Sequence, residues 1–373
     1  MTEYTTLGNL ISPAKVIRCG NGSYPVLSMT MHDGIVLQSD RFKKSLASAD
    51  QSDYKVVKYG QLVVGFPIDE GVLYIQKATN EGIMSPAYNV WDVDTLKVEA
   101  DYLELCLHSP QAMQYYCDKL RGSTARRRSI PTADLLALPI RLPTLEEQRE
   151  KLEMMAKMNA LIADRHQQLD LADQLVKSRF IEMFGDPVSN DKGWPHQAMD
   201  KVAPSSACSG DSSERVWLLN LDMVEAQTGR IIDYLYVDKA EVGTSTCCFD
   251  EGNVLYSKLR PYLNKVVVPT KKGYCTTELV PLRPNVKLNR QFLAFLLRSD
   301  SFVSFINEKV AGAKMPRVSM NVFREFECIL PPIDLQNEFA TFVEQIDKSK
   351  FEIQQSLEKL EILKKSLMQQ YFG

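Results

Sequence analysis

The 373-residue chain has no apolar run near the ~20 residues needed to span a bilayer. It has no low-complexity tract, and its start, Met1-Thr-Glu-Tyr-Thr-Thr, is polar and unlike a signal peptide. The eight Cys include no C-x-x-C and no His/Cys spacing suited to zinc, and the adjacent Cys247 and Cys248 fit one tetrahedral site poorly. All eight are therefore expected to be reduced thiols in a cytoplasmic protein. The four His (32, 108, 166 and 196) are scattered, with no Ser or Cys spaced for a triad. Neither charge sign dominates. Formal net charge is -3, so any affinity for DNA must come from local basic patches or be shared with a partner.

What the chain does have is internal repetition. Leu142-Pro143-Thr144-Leu145-Glu146-Glu147-Gln148 opens a long helical stretch that closes on Phe184-Gly185. Leu330-Pro331-Pro332-Ile333-Asp334-Leu335-Gln336 opens another that closes on Phe372-Gly373. Leu142 to Leu330, Gln148 to Gln336, Phe184 to Phe372 and Gly185 to Gly373 share one offset of 188 residues. Upstream, Gly122–Arg126 corresponds to Gly312–Arg317, with the offset drifting to 190 at Gly312. A long period seen twice signals a duplicated domain rather than a solenoid. Two similar modules can follow the two-fold symmetry of a DNA duplex.

The expected organisation is a first module over 1–141, a first long helix over 142–185, a second module over 186–329 and a second long helix over 330–373. In both modules, short strand-like pieces broken by Gly, Asn and Pro come first. They include 24–29, 61–65, 71–75, 216–219, 253–257 and 279–282. Helical patterns follow at 100–107, 111–120, 289–297 and 301–309, which argues for α+β domains rather than βαβ units. In the first linking segment, positions 155, 162, 169, 176 and 183 are Met, Ile, Leu, Val and Met. In the second, positions 339, 346, 353, 360 and 367 are Phe, Ile, Ile, Leu and Leu. A seven-residue apolar repeat predicts long amphipathic helices packed along a seam, each spanning roughly 57 Å over roughly 38 residues. The simplest pairing is antiparallel. Asn159, His166 and Asp173 interrupt the seam's other edge, where polar groups set register. Leu152, Met158, Leu161 and Leu175 would remain free for a partner helix.

The doubled Leu-Pro-x-Leu/Ile-x-x-Gln lead-in and the helices ending in Phe-Gly resemble the specificity subunit of type I restriction–modification systems. Tyr24-Pro-Val-Leu-Ser-Met-Thr, Gly34-Ile-Val and Ser85-Pro-Ala-Tyr-Asn-Val look like one target-recognition domain of that family; Trp217-Leu-Leu-Asn-Leu-Asp and Gly252-Asn-Val-Leu-Tyr-Ser-Lys-Leu-Arg-Pro look like another. The resemblance covers essentially the whole chain. It implies two α+β target-recognition domains separated by two long antiparallel coiled-coil helices, in a pseudo-two-fold repeat. It implies a subunit without catalysis of its own, each domain reading one half of a bipartite DNA site. The helices would fix the spacing and dock two adenine-methyltransferase subunits, with endonuclease subunits joining that core. No cofactor is implied on this chain; S-adenosylmethionine, Mg and ATP would sit on partner subunits. The first lead-in has Pro-Thr where the second has Pro-Pro.

The segment from Ser257 to Lys265 is the sharpest candidate for DNA contact, with Lys258, Arg260, Tyr262 and Asn264 on a strand-to-loop edge. Arg and Lys pair with phosphate or guanine, and Asn with adenine. Its bland reading is an exposed strand end with solvated charges. Arg126, Arg127 and Arg128 follow Gly122, and Lys314 and Arg317 hold the related place in the second half. Such Arg suit a loop near phosphate, or equally an ion pair with a neighbouring helix. Arg41, Lys43 and Lys44 form a third cluster, and Tyr88 joins Tyr262 as a possible base contact. Lys271-Lys272 reads as a plain hairpin turn.

Against these stand two other function classes. A chain carrying its own methyltransferase would need Asn/Asp-Pro-Pro-aromatic and a Gly-rich cofactor loop. The one Pro-Pro, at 331 and 332, has neither flank, and no G-x-G loop is read in the chain. A nuclease would need carboxylates and a Lys converging on magnesium, and no such set stands out. A protein-binding or repurposed DNA-binding scaffold without a methyltransferase partner is the remaining alternative.

Overall fold

The computed structural model describes residues 3–31, 33–41, 50–120, 128–209, 213–310 and 315–373. The chain divides into two compact units, one of residues 1–166 with 355–373 and one of residues 167–354. Each unit takes one module and a stretch of both long helices.

In the first unit the Leu-Pro lead-in is a strand. Pro139–Leu142 pairs antiparallel with Glu3–Thr6, Leu142 opposite Glu3, as suits a residue whose following Pro forbids the helical region. An antiparallel sheet follows in the order Ile11–Pro13, Asn89–Val93, Leu62–Val64, Leu73–Ile75. Leu62–Val64 and Leu73–Ile75 are buried at every position, so they read as continuous apolar runs rather than as an alternating pattern. Helices Ala100–Leu107 and Pro110–Lys119 close the core with Tyr102, Leu103, Leu107 and Tyr116.

The second unit repeats this recipe. His196–Ala198 pairs with Glu327–Ile329, and Val254–Ser257 lies between Val266–Val267 and Leu279–Leu282. A further sheet runs Leu235–Asp238, Arg215–Leu219, Gly273–Thr276, Thr246–Phe249, with one parallel pairing. Helices Arg290–Arg298 and Asp300–Glu308 cover the core. Strands before helices hold in both units, and the chain mixes sheet and helix as expected. The sequence reading passed over the short strands at 3–6, 11–13, 139–142 and 196–198, where three or four residues carry too little periodicity to register.

The offset of 188 has a physical content. Gln148 is fully buried; its Oε1 accepts from Glu99 N at 2.8 Å and its amide donates to the carbonyls of Lys97 and Pro143. Gln336 is equally buried; its Oε1 accepts from Asn289 N at 2.8 Å and its amide donates to Lys287 and Pro331. Glu99 and Asn289 precede the first turns of Ala100–Leu107 and Arg290–Arg298. One Gln thus fastens the start of each long helix to the first of the two core-covering helices of its own module, satisfying helix-terminal backbone groups that would otherwise be orphaned. The next helices share a cap as well. Ser109 accepts from Ala112 N, and Ser299 accepts from Phe302 N. The Phe-Gly ends are plugs: Phe372 packs on Tyr102 with centroids 5.2 Å apart, and Phe184 packs on Phe292 at 4.7 Å.

The long helices are Leu145–Phe184 and Ile333–Phe372, each of 40 residues and about 60 Å. Thr144 and Glu147 form a capping box at the first, Glu147 Oε2 accepting from Thr144 N at 2.9 Å. In the second unit the helices run antiparallel, since Arg179 meets Glu338 at 3.3 Å and Asp173 meets Lys350 at 2.5 Å. Asp173 is therefore a register group, whereas Asn159 and His166 are exposed. Two of the positions expected to be free are not. Met158 is buried within the chain, and Leu152 packs on the first unit's core, because the amphipathic face is wider than the narrow seam. Leu161 and Leu175 are about half exposed, at 46% and 49%. Among the described residues no helix is long and apolar enough to cross a membrane.

The expectation of eight reduced thiols is corrected. Cys208 and Cys248 form a disulfide, in a place where Cys208 N also donates to the Cys248 carbonyl at 3.2 Å. Forty residues separate them in sequence, so only chain pairing brings them together. The other six are free, and burial pushes the thiols of Cys106 and Cys328 up to about 12.

Candidate nucleic-acid interface

The connection between Val254–Ser257 and Val266–Val267 carries the strongest sequence candidates. It contains a short 3-10 turn, Pro261–Leu263, with Pro261 preset for the turn. Arg260 and Asn264 on either side are left-handed, at φ 48° and 50°, and so is Gln227 at 68°, which packs beside them. Few non-Gly residues accept this region, and where they do the surroundings hold them there. The hold is visible. Arg260 N donates to the Pro316 carbonyl at 2.8 Å, Val318 N to the Lys258 carbonyl at 2.8 Å, and Gln227 N to the Leu263 carbonyl at 2.9 Å. The Gln227 side-chain amide donates to the Tyr262 carbonyl at 2.9 Å. Tyr262 itself is 46% exposed.

Asn264 is not the adenine reader its residue type suggested. It is buried, and its amide donates to the Arg298 carbonyl at 2.9 Å, because its left-handed backbone turns the side chain to the module's interior. Lys265 likewise points its ammonium at the Leu221 carbonyl, 2.6 Å away, and burial lowers its pKa. Arg298 is held under the loop, its guanidinium donating to the Val266 carbonyl, with burial lowering its pKa to about 10. Lys258 and Arg260 meet no carboxylate among the described residues.

The other candidates are more tied. Arg128 pairs with Asp69 at 3.1 Å and also with Glu70, so it braces its own module. Arg317 pairs with Glu278 at 3.0 Å, and Arg41 pairs with Asp33, both on the surface. Tyr88 is half-buried against Phe66, with its hydroxyl pKa raised by burial. Lys43, Lys44, Arg126, Arg127 and Lys314 lie outside the described residues. Two features escaped the sequence reading. Lys271 is not a plain turn residue; its ammonium lies over the rings of Tyr234, Tyr236 and Trp217, at 4.5, 5.2 and 5.3 Å. The alternation of Ile232, Tyr234 and Tyr236, all exposed, was the available signal. The reading of no G-x-G is also corrected: Gly20-Asn21-Gly22 is one, but it closes a tight turn at Cys19 and opens no helix, so it cradles no cofactor phosphate.

The sequence model of the type I restriction modification DNA specificity domain matches residues 226–364, a stretch that holds the Lys258–Lys265 connection, Arg317 and most of the second long helix. Over that stretch the chain is similar to the DNA specificity domain of type I restriction–modification systems. The EcoDI type I specificity subunit of Escherichia coli is 28% identical over 123 residues, 33% of this chain and 27% of that protein's own length. The likeness in fold is broader. A chain from a structure on the assembly and conformational transition of a type I restriction–modification system superposes with TM-score 0.64 at 16% identity, covering 99% of this chain and 97% of that one. The type I system S subunit from M. genitalium gives 0.52 at 14% identity, covering 100% and 96%. The HsdS subunit from Thermoanaerobacter tengcongensis gives 0.50 at 16% identity, covering 99% and 96%. At such identities it is the fold that is shared.

Proposed function

We propose that the chain reads a bipartite DNA site without catalysing a reaction, each module recognising one half and the paired helices setting the distance between them. The helices also dock two adenine-methyltransferase subunits, which carry S-adenosylmethionine, and restriction subunits bring Mg and ATP. The observation that carries this reading is the doubled fastening. The same buried Gln and the same Phe plug recur at one offset in two modules whose loops differ in chemistry. Conserved fastening with divergent loops suits a scaffold that reads two different sequences. Leu161 and Leu175, with Met154, Leu171 and Ile181, are exposed apolar positions of the first long helix offered to a partner.

Matched four-residue insertions in both long helices test the spacing role. They add about 6 Å, close to two base pairs at about 3.4 Å each. Adenine methylation by the complex should then fall on a site with a spacer longer by about two base pairs and with unchanged halves. An unchanged spacer would sink the ruler. Methylation without any two-part site would sink the whole reading and favour a protein-binding scaffold.

A further inference from the structure

The two modules build the same connection with opposite chemistry. In the first, Gly65–Val72 joins the strands Leu62–Val64 and Leu73–Ile75 through the 3-10 turn Ile68–Glu70, capped by left-handed Gly71. In the second, the turn Pro261–Leu263 is capped by left-handed Asn264. Ile68 N donates to the Arg128 carbonyl, as Arg260 N donates to that of Pro316. There the likeness ends. The first turn presents Asp69 and Glu70, both engaged by Arg128. The second has no acid, exposes Tyr262, and leaves Lys258 and Arg260 without a carboxylate among the described residues, because Arg317 turns to Glu278 instead.

We propose that Tyr262, carried on the Lys258–Lys265 connection, is the base-contacting residue of the second module, and that the equivalent connection of the first module does not read DNA. The two halves of the site are then read by non-equivalent elements. This rests on the bipartite DNA-reading function proposed above. An anionic duplex attracts unpaired cations, which the second turn offers and the first, its acids held by Arg128, does not, so the second turn approaches phosphate where the first does not. A rigid, exposed aromatic ring two residues beyond Arg260 then meets base edges or thymine methyls at little entropic cost. The left-handed residues 227, 260 and 264 fix the tip, as a reading element requires.

The test is the methylated-adenine map of genomic DNA treated with the complex of this chain and its adenine-methyltransferase subunits. Wild type serves as the control on which the underlying function stands; a map without a two-part site rejects that function, whatever Tyr262 does. Given a two-part site, Tyr262→Ala should lose about tenfold in discrimination at one or two positions of one half, with the other half untouched. Tyr262→Phe should keep the motif, and Glu70→Gln should leave both halves as they were. A Tyr262→Ala complex that melts like wild type and keeps its full motif overturns the assignment. A Glu70→Gln complex with an altered half-site overturns the asymmetry.

Discussion

Gly65–Val72 and Lys258–Lys265 each join two antiparallel strands through a 3-10 turn in their module, yet one is closed by its own ion pairs and the other is open. In the first, Asp69 is nearly buried and shared with Arg128, so the charges of the turn are spent on holding the module together. In the second, the hold is made by backbone groups and by Gln227, which leaves the side chains of the turn unspent. Duplication keeps what the fold needs and frees what it does not. The fastening Gln and the plugging Phe are the same in both modules because each fills a buried junction at the end of a long helix. The turn is free to differ because main-chain hydrogen bonds and one left-handed cap already specify it.

The comparison can be broken most forcefully at the plugs. Phe184 lies among Phe180, Phe292 and Phe339, whereas Phe372 has, among the described residues, Tyr102 and Tyr371 as ring partners. Phe184→Ala should cost about 3–5 kcal/mol and Phe372→Ala an amount nearer the low end of that range, measured by denaturant unfolding followed unit by unit. Equal costs would show that the aromatic cluster adds nothing beyond burial. Next come the two clamps. Gln148→Ala and Gln336→Ala should each cost about 2–3 kcal/mol, since each leaves buried amide and carbonyl groups unpaired. A large difference between them would mean that the fastening is not truly duplicated.

Smaller again is the pair of Arg. Arg128→Ala should lower the melting transition of the first unit by about 1–2 kcal/mol, because two acids share a partly buried guanidinium. Arg317→Ala should cost about 0.5 kcal/mol or less, its pair being mostly solvated. Thermal melts of the two variants side by side would decide this. The smallest effect is in acid. The hydrogen-bonded Arg283 guanidinium, 2.6 Å from Asp250, holds that carboxyl below its ordinary value of 3.8. A depressed carboxyl stabilises the fold above its unfolded pKa, and that contribution is lost as pH falls below about 3.8 through the folded value. The first module has Tyr59 in the matching turn, so this particular contribution belongs to the second unit, and Asp250→Asn should remove it. An acid limb unchanged in Asp250→Asn would assign it elsewhere.

Asp250 also shows where sequence reading stops. Nothing near it in sequence names Arg283 as its partner, 33 positions away, and the same holds for Arg128 with Glu70, 58 positions away. Lys258, Arg260 and Asn264 looked alike as candidates. The structure separates them, because a left-handed backbone at 264 sends that amide to Arg298. The helices Ala100–Leu107 and Arg290–Arg298 were legible to within a residue or two because their apolar spacing is long enough to repeat. The three-residue strands were not, since no period can show itself in so short a run.

The sequence by itself determined the duplication, the two 40-residue helices and their shared Gln and Phe-Gly marks, since periodicity and offset are properties of order along the chain. Only the tertiary structure decided that those Gln are buried clamps, that Cys208 meets Cys248, that Met158 is covered, and that one turn is neutralised while its counterpart is not. These depend on which groups distant in sequence come within hydrogen-bonding reach. That reach is set by packing, which no local pattern encodes.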